Sequence, residues 1–347
     1  MRCLVVGAGA VGQFLAARLR LAGHEAVLLA RPGALGAINQ RGITLRAGPQ
    51  EWPVAVSAAA TPADPLLAEP FEFVIVAVKA YATVEAARSI AAIDACKQST
   101  ILTVQNGLGN EEALAEVFGP DRIAAGALTV PVERVDETTV AAPPTGGLTM
   151  APVGAQPNNW LLAVFERSGL PARAASDWRA LKWSKLLINL VANAVCAALD
   201  MTPKEVYADS MAFSIERRCL REAVAVMDAL HLTPVPLVRF RVPQFAAAIR
   251  LLPAGLLRML VANRAAVARG DKLPSFLIDA RAGRQQVEVR WLNGAVAERG
   301  AAVGVAAPAN AAVTRVVAGF ANGSVDRTAY RGRPEKLAAD IAAISVT

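Results

Sequence analysis

The stretch that decides the fold is residues 2–31, RCLVVGAGAVGQFLAARLRLAGHEAVLLAR. Cys3–Val6 is an apolar run short enough to form a buried parallel strand, and the pattern that follows the glycines is helical as far as Gly23. His24–Leu29 is predicted to be a second strand. A strand, a GxGxxG turn and a helix within one βαβ unit are typical of a dinucleotide-binding fold.

Each glycine of this turn has a physical task in such a site. Gly7 permits the tight turn, Gly9 lets the backbone approach a pyrophosphate, and Gly12 lets helix and strand pack closely. The helix N-terminus offers N–H groups and the positive end of its dipole to the phosphates. The alternative is an ordinary strand–helix turn. We predict that the cofactor binds the loop formed by Gly7, Ala8, Gly9, Ala10, Val11 and Gly12.

The residues after the second predicted strand indicate which dinucleotide is bound. An NAD site usually has Asp or Glu about 20 residues beyond the glycines, where it holds the ribose hydroxyls. This chain has Ala30-Arg31-Pro32-Gly33 there, without an acid. Because an arginine can pair with a 2′-phosphate through its planar guanidinium, Arg31 favours NADP(H) over NAD(H). The alternative is that Arg31 is a solvated surface charge.

Length and hydropathy indicate two soluble domains. The chain has 347 residues, 54% of them hydrophobic, and a mean hydropathy of +0.37. No apolar run reaches the roughly 18 residues of a membrane span, and the best candidate, Leu186–Leu199, contains Asn189 and Asn193. The first strand begins at the N-terminus and leaves no room for a signal peptide. We therefore expect a cytoplasmic protein that does not enter the membrane.

Cysteine, histidine and charge patterns argue against metal and nucleic-acid sites. The net charge of +7 comes from scattered Lys and Arg without a basic run, so we expect no nucleic-acid partner and attribute the charge to an anionic cofactor and substrate. With two histidines and no CxxC motif, no metal site is expected. Reduced core residues are predicted for the four cysteines, Cys3, Cys96, Cys196 and Cys219.

The first half of the chain alternates strands and helices. Phe71–Val78 is predicted to be a buried strand that ends at Lys79, and Ser99–Val104 another that ends at Gln105-Asn106-Gly107. Ligands of open α/β sheets bind beyond the carboxyl ends of the strands. Lys79 and Asn106 are therefore candidate site residues, with ordinary turn chemistry as the alternative. Strands predicted at 123–135, 138–142 and 147–152 are expected to form an antiparallel extension.

The composition changes to helical patterns from Ser176 onward. We predict a long helix from Trp178 to about Leu199, and expect 327–347 to pack loosely. The predicted architecture is an α/β N-terminal Rossmann-type doubly wound sheet, residues 1–174, followed by an all-α C-terminal domain, residues 175–347. Further helices are predicted at 203–230, 236–250, 253–270, 274–282, 286–303 and 308–321.

A polar stripe runs along the long predicted helix. Lys185, Asn189 and Asn193 are each four residues apart, which places them on one face. Their neighbours are apolar, and buried polar side chains are costly unless they are satisfied. A cleft that binds a polar substrate would satisfy them, and so would a network between helices. Lys182, one turn earlier, is a rival to Lys185.

Taken together, these motifs resemble those of the ketopantoate reductase (2-dehydropantoate 2-reductase) family nearly from end to end of the chain. The glycine motif alone is not specific, but the ordered set of motifs is. The matching segments are Gly7–Gly12, Arg31, Val78-Lys79-Ala-Tyr81, Gln105-Asn106-Gly107-Leu-Gly-Asn-Glu111, Lys182-Trp-Ser-Lys185-Leu with Asn189 and Asn193, Pro274-Ser275 with Asp279, Glu288-Val with Leu292-Asn293-Gly294, and Gly304-Val-Ala-Ala-Pro308.

The resemblance implies an NADP-dependent reductase of a small 2-oxo acid, most simply 2-dehydropantoate, with a Rossmann domain and a helical substrate and catalytic domain. Lys185 would be the catalytic lysine, and Glu288 the acidic partner near the reacting group and the cofactor. Ser275 would contact the substrate carboxylate. Arg31 would contact the 2′-phosphate. Lys79 and Asn106 would contact the nicotinamide and the substrate, and Asn189 and Asn193 would contact the substrate.

Departures from the family pattern lie on the substrate side. The family usually has Arg-x-Thr-Glu before the Asn-Gly pair, whereas this chain has Arg284-Gln-Gln-Val-Glu288, and Phe276 follows Ser275. The substrate could therefore be another 2-oxo acid. A non-catalytic NADP(H)-binding regulator is the alternative from a different class. The sequence leaves the oligomeric state open, including a homodimer.

Overall fold

A computed structural model of the chain describes residues 1–156, 159–269 and 273–346. The chain divides into two compact units. The first comprises Met1–Gln105, Gly109–Lys182 and Pro236–Phe240, and the second comprises Asn106–Leu108, Trp183–Val235 and Arg241–Thr347. Residue 270, the predicted end of the helix at 253–270, lies outside the described residues, as does residue 347.

The first unit is built on β-strands. They are β1 (Arg2–Val6), β2 (Glu25–Leu29), β3 (Ile43–Ala47), β4 (Gln50–Val54), β5 (Ser57–Ala59), β6 (Phe73–Val76), β7 (Thr100–Thr103), β8 (Ile123–Leu128), β9 (Glu133–Arg134), β10 (Thr139–Ala141), β11 (Leu148–Pro152) and β12 (Ala172–Ala174). Among the described residues, eight strands form one sheet in the order β12-β11-β8-β7-β6-β1-β2-β5.

The central pairs of this sheet are parallel, as predicted. They join β1 to β2 and β6, β6 to β7, and β7 to β8. The predicted antiparallel extension is correct where β11 pairs with β8. It is also correct where β10 pairs antiparallel with β9, but it does not include the parallel pairing of β10 with β3 in a second sheet ordered β4-β3-β10-β9. That pairing joins segments far apart in sequence, so local patterns do not indicate it.

Helices cover both faces of the larger sheet and make up most of the second unit. They are α1 (Ala10–Leu21), α2 (Pro32–Arg41), α3 (Thr83–Ala91), α4 (Asn110–Phe118), α5 (Trp160–Arg167), α6 (Trp178–Leu190), α7 (Ala194–Leu199), α8 (Pro203–Ala208), α9 (Ser210–Ala229), α10 (Val242–Leu251), α11 (Ala254–Arg269), α12 (Ser275–Arg281), α13 (Asn293–Ala302), α14 (Pro308–Asn322) and α15 (Pro334–Val346). Of these described helices, none has the combined length and hydropathy needed to cross a bilayer.

Alternate residues of the central strands enter two separate cores. Cys3 and Val5 of β1 pack with Phe14 of α1 on one face, whereas Leu4 of β1 packs with Ile90 of α3 on the other. A strand that is apolar on both faces matches a doubly wound sheet covered by helices on each side. The four cysteines are buried and free, as predicted.

The long predicted helix is interrupted, which corrects its predicted extent. Helix α6 ends at Leu190, Ala192 has a φ of +48°, and α7 begins after Asn193. At the break, Ala192 N donates a hydrogen bond at 3.1 Å to the carboxylate of Glu216 on α9, which is fully buried. Asn193 therefore lies at the break, not on a continuous helical face with Lys185 and Asn189.

The C-terminal stretch is packed, so the expectation of loose packing is wrong. Leu337 and Ile341 of α15 are buried, one helical turn apart. The Tyr330 hydroxyl donates a hydrogen bond to Asp340 Oδ2 at 2.6 Å. Helix α15 packs against α9 and α14 with this narrow apolar face. The face is hard to see in the sequence because alanines surround Leu337 and Ile341.

Asp200 joins α7 to more distant parts of the second unit. Its carboxylate lies 2.8 Å from Arg281 Nε, 2.7 Å from Arg327 and 3.5 Å from Arg331. Burial alone would raise the pKa of Asp200, but hydrogen bonds from Arg281 and Arg327 outweigh it and hold the pKa below its ordinary value. This cluster anchors the end of α12, the helix that begins with Ser275.

We expect Glu216→Ala to lower the free energy of unfolding by about 2–4 kcal/mol, because it removes the acceptor of Ala192 N and of the Tyr207 hydroxyl in a buried place. Glu216→Gln should cost less, since its carboxamide oxygen still accepts. Urea denaturation measures both, with Glu298→Ala on the exposed side of α13 as the control. Equal losses for Glu216→Ala and Glu298→Ala would contradict the stabilising role assigned to the hydrogen bonds of Glu216.

We expect Asp200→Asn to lower stability by about 1–3 kcal/mol at neutral pH. Because the folded-state pKa of Asp200 lies below the unfolded value of about 3.9, this contribution is present above that value and is lost as the pH falls through the folded pKa. The difference in Tm between wild type and variant should therefore narrow below about pH 4. Asp228→Asn, at an exposed pair with Arg250, is the control and should change Tm little at any pH.

Candidate active site

The glycine turn of the first unit is shaped by two close approaches. Gly7 has a φ of +109°, and a Cβ there would lie 2.9 Å from Val78 Cγ1. A Cβ on Gly12 would lie 1.8 Å from the Gly7 carbonyl oxygen. Only glycine fits at these positions without moving the backbone, so the turn and the start of α1 keep their close contact with β1.

Gly9 differs from both neighbours because it faces open space. It is exposed, and no heavy atom of the described residues lies within 4 Å of the position of its Cβ. Gly9 is also the N-cap of α1 and supplies no side-chain cap, so the first-turn N–H groups are not capped by it. An uncapped helix N-terminus beside an accessible backbone fits a pyrophosphate.

Two basic residues predicted to contact a cofactor follow strands that adjoin β1. Arg31 follows β2 and is the N-cap of α2, and Lys79 follows β6. Both are exposed. Since β2, β1 and β6 are neighbouring parallel strands, Arg31, Lys79 and the glycine turn lie at one edge of the sheet.

In the second unit, hydrogen bonds connect three asparagines, one of them through its main-chain carbonyl, in a line that we call the polar row: Asn106, Asn189 and Asn193. Asn189 Nδ2 donates to Asn106 Oδ1 at 3.0 Å. Asn193 Nδ2 donates to the carbonyl oxygen of Asn189 at 3.1 Å. The polar row therefore joins the residue after Gln105 to the end of α6 and to the break before α7.

Ser275 and Lys185 lie beside the polar row. Phe276 N donates to Asn193 Oδ1 at 3.3 Å, so the preceding residue, exposed Ser275 at the start of α12, is next to Asn193. Lys185 is half-buried on α6, one turn before Asn189 and on the same face. The chemistry available here is amide and hydroxyl hydrogen bonding next to an ammonium group.

The turn that carries Glu288 contacts the residues just after Asn106. Glu288 is buried and begins the 3₁₀ turn Glu288–Trp291. The Trp291 carbonyl oxygen accepts a hydrogen bond from Leu108 N at 2.9 Å, and a Cβ on Gly107 would lie 2.6 Å from that oxygen. The residues just after Asn106 therefore rest on the turn that carries Glu288.

Lys182 and Lys185, the two lysines that the sequence leaves as rivals, differ in burial. Lys182 is 1% exposed; its Nζ lies 2.8 Å from Glu111 Oε1 and donates to the Gln105 carbonyl oxygen at 2.6 Å. Both partners belong to the protein, which leaves Lys182 poorly suited to protonate a substrate. Lys185 remains the predicted catalytic lysine.

The polar network around Gln105 was missed by the sequence analysis. Gln105 Nε2 donates to the Val78 carbonyl oxygen at 3.0 Å and to Thr83 Oγ1 at 2.8 Å. Thr83 Oγ1 in turn bonds Asn110 Oδ1 at 2.8 Å. Burial raises the pKa of Glu111, and the charge of Lys182 opposes this effect. The one signal in the sequence is Lys182 itself, a charged residue among apolar neighbours one turn before the polar stripe of the predicted helix.

Metal chemistry has no visible support in the described ranges. No group of three or more His, Cys, Asp or Glu side chains is placed there to hold an ion. The features that the described residues do offer are the open glycine turn with Arg31 and Lys79 in the first unit, and the polar row with Lys185, Ser275 and Glu288 in the second.

Known proteins resemble this chain along most of its length. The model of the family "Ketopantoate reductase PanE/ApbA" matches residues 3–154, and that of "Ketopantoate reductase PanE/ApbA C terminal" matches residues 177–321. The 2-dehydropantoate 2-reductase of Mesorhizobium japonicum is 28% identical over 355 residues, covering 95% of this chain and 100% of that protein. The enzyme of the same name from Pyrococcus abyssi is 24% identical over 316 residues, covering 89% and 94%.

Solved structures agree on the fold. A PanE/ApbA family ketopantoate reductase from Ralstonia eutropha superposes with a TM-score of 0.77 at 25% identity, covering 93% of this chain and 99% of that one. A D-mandelate dehydrogenase in a ternary structure with NADH and anilino(oxo)acetate has a TM-score of 0.77 at 19% identity, covering 94% and 100%. Because the two family models together span most of the sequence, this chain is an oxidoreductase that belongs to the ketopantoate reductase family.

Proposed function

We propose that this protein uses NADPH to reduce 2-dehydropantoate to pantoate. The observation that carries the proposal is the polar row, which aligns Asn106, Asn189 and Asn193 beside Lys185 in a chain of the ketopantoate reductase family. A 2-oxo acid presents a carboxylate and a ketone oxygen, and both are acceptors. Amide N–H groups, a serine hydroxyl and an ammonium group are donors suited to them.

The proposed reaction needs one hydride and one proton. Bound NADPH supplies the hydride to the ketone carbon. The Lys185 ammonium stabilises the negative charge that develops on the ketone oxygen and donates the proton to it. Glu288 is the acidic partner near the reacting group, as the family resemblance implies. Ser275 binds the substrate carboxylate, and the polar row orients the substrate without adding charge.

NADP(H) is proposed over NAD(H) because of the residues after β2. Arg31 is exposed at the N-cap of α2, and no acidic residue occupies the ribose-binding position. Two solved D-mandelate dehydrogenase structures of similar fold contain NADH, which supports a nicotinamide cofactor. Arg31 would add the selection for a 2′-phosphate.

We expect Arg31→Asp to raise the KM for NADPH about 10- to 100-fold, because a charge-assisted bond to the 2′-phosphate is lost and a repulsion is added. The KM for NADH should change little. Steady-state kinetics with both cofactors measures the effect, and Arg88→Asp, exposed on α3, is the matched control. If the NADPH preference survives in Arg31→Asp, the assigned role of Arg31 is wrong.

We expect Lys185→Met to lower kcat with 2-dehydropantoate about 10²- to 10⁴-fold, the range for loss of a general acid. The Kd for NADPH should stay the same, since the glycine turn is untouched. NADPH oxidation and fluorescence titration report the two quantities. Lys204→Met, exposed on α8, is the control. Unchanged turnover in Lys185→Met would refute the proposed mechanism.

A different 2-oxo acid is the second candidate substrate. The observation that favours it is Phe276, a departure from the family pattern whose backbone N–H donates to Asn193 Oδ1, so that the altered position is next to the polar row. The ligand of the D-mandelate dehydrogenase neighbour, anilino(oxo)acetate, is a bulky 2-oxo acid derivative. Binding of NADPH without turnover of any 2-oxo acid would instead favour a non-catalytic regulator.

A further inference from the structure

A buried ion pair lies next to the residue that precedes Asn106. Glu111 is fully buried and Lys182 is 1% exposed, with 2.8 Å between Lys182 Nζ and Glu111 Oε1. The same Nζ donates to the Gln105 carbonyl oxygen at 2.6 Å. One ammonium group therefore forms an ion pair with a buried carboxylate and fixes the direction of the peptide carbonyl just before Asn106.

The side chain of Gln105 is held as firmly as its carbonyl. Its Nε2 donates to the Val78 carbonyl oxygen and to Thr83 Oγ1, and its Oε1 accepts from Thr103 Oγ1 at 3.1 Å. Val78 directly precedes Lys79. The network thus connects the peptide before Asn106 with the peptide before Lys79, and both of those residues are candidates for contact with cofactor or substrate.

Stability alone does not account for charges at this place. Taking two charges out of water is costly, and replacing a buried ion pair with apolar residues of similar volume is often neutral or stabilising. An apolar pair would fill the space, but the Gln105 carbonyl oxygen would then lose its donor. What the lysine adds over an apolar side chain is a fixed orientation of the Gln105–Asn106 peptide.

We propose that Lys182 and Glu111 are positioning residues that hold Asn106 in the orientation in which it meets Asn189. Glu111 keeps the buried Lys182 ammonium in place, and Lys182 holds the Gln105 carbonyl. The effect of these residues on kcat/KM rests on the proposed function, whereas the orientation of Asn106 does not. Neither residue touches the substrate in this account.

The kinetic test is a double-mutant cycle between Lys182→Met and Asn106→Ala. Lys182→Met should lower kcat/KM for 2-dehydropantoate about 10- to 100-fold, the size expected when a substrate-binding group is misplaced by about 1 Å. In the Asn106→Ala background the same change should alter kcat/KM by less than about 2-fold, because Lys182 acts through Asn106. Lys97→Met, at an exposed pair with Asp94, is the control and should behave like wild type. Additive losses in the cycle would overturn the proposal.

A second variant separates positioning from stability. Lys182→Met should fold, because the buried Glu111 has a raised pKa and can take up a proton once its partner is gone. Lys182→Met combined with Glu111→Leu removes both charges and should recover any loss in Tm. It should not recover kcat/KM, since Gln105 still lacks its donor. Recovery of kcat/KM together with Tm would show that the pair is only structural.

A measurement that does not depend on activity distinguishes failure of the positioning role from failure of the proposed function. In protein labelled with ¹⁵N-asparagine, the side-chain amide resonance of Asn106 is identified by its loss in Asn106→Ala. This resonance should shift in Lys182→Met and in the combined variant, but not in Lys97→Met. An unmoved resonance in the folded combined variant would overturn the positioning role, even if the wild type turned over no 2-oxo acid. A shifted resonance in a protein without turnover would support the positioning role and refute only the proposed function.

Discussion

The hydrogen bond from Asn189 to Asn106 is the interaction on which the candidate site depends. Asn189 is partly buried among apolar neighbours on α6, where hydrogen-bond partners offset the cost of removing its amide from water. Asn189 finds them in the side chain of Asn106 and, through its carbonyl oxygen, in Asn193. These bonds bring residues from three parts of the sequence into one line, and Ser275 and Glu288 are placed relative to that line by Phe276 and Trp291.

Much of the fold could be predicted from the sequence because its signals are local. The apolar run of β1, the glycine turn and the pattern of α1 lie within one short stretch, and the strands before Lys79 and Asn106 are short segments rich in β-branched residues. The break between α6 and α7 could not be predicted in this way. At that break Ala192 N bonds Glu216, which lies on a helix later in the chain and meets Ala192 only after folding.

The candidate site likewise combines features that the sequence indicates with features that only the folded chain shows. Lys185, Asn189 and Asn193 could be chosen because polar residues at helical spacing stand out among apolar neighbours. Their line is bent, however, since Asn193 lies at the start of α7. The rivalry between Lys182 and Lys185 could not be settled from the sequence, because both are lysines on α6. Glu111, a residue distant in sequence, pairs with Lys182 through its buried carboxylate, and Lys185 stays the proposed proton donor.

The central claim is that this member of the ketopantoate reductase family reduces a 2-oxo acid with NADPH. The most direct measurement is the oxidation of NADPH at 340 nm by the wild-type protein, with 2-dehydropantoate and with 2-oxo acids carrying smaller, branched and aromatic side chains. The account predicts a kcat/KM for 2-dehydropantoate of about 10⁴ M⁻¹s⁻¹ or more, within the ordinary enzyme range. Tight NADPH binding without oxidation in the presence of any of these acids would contradict it.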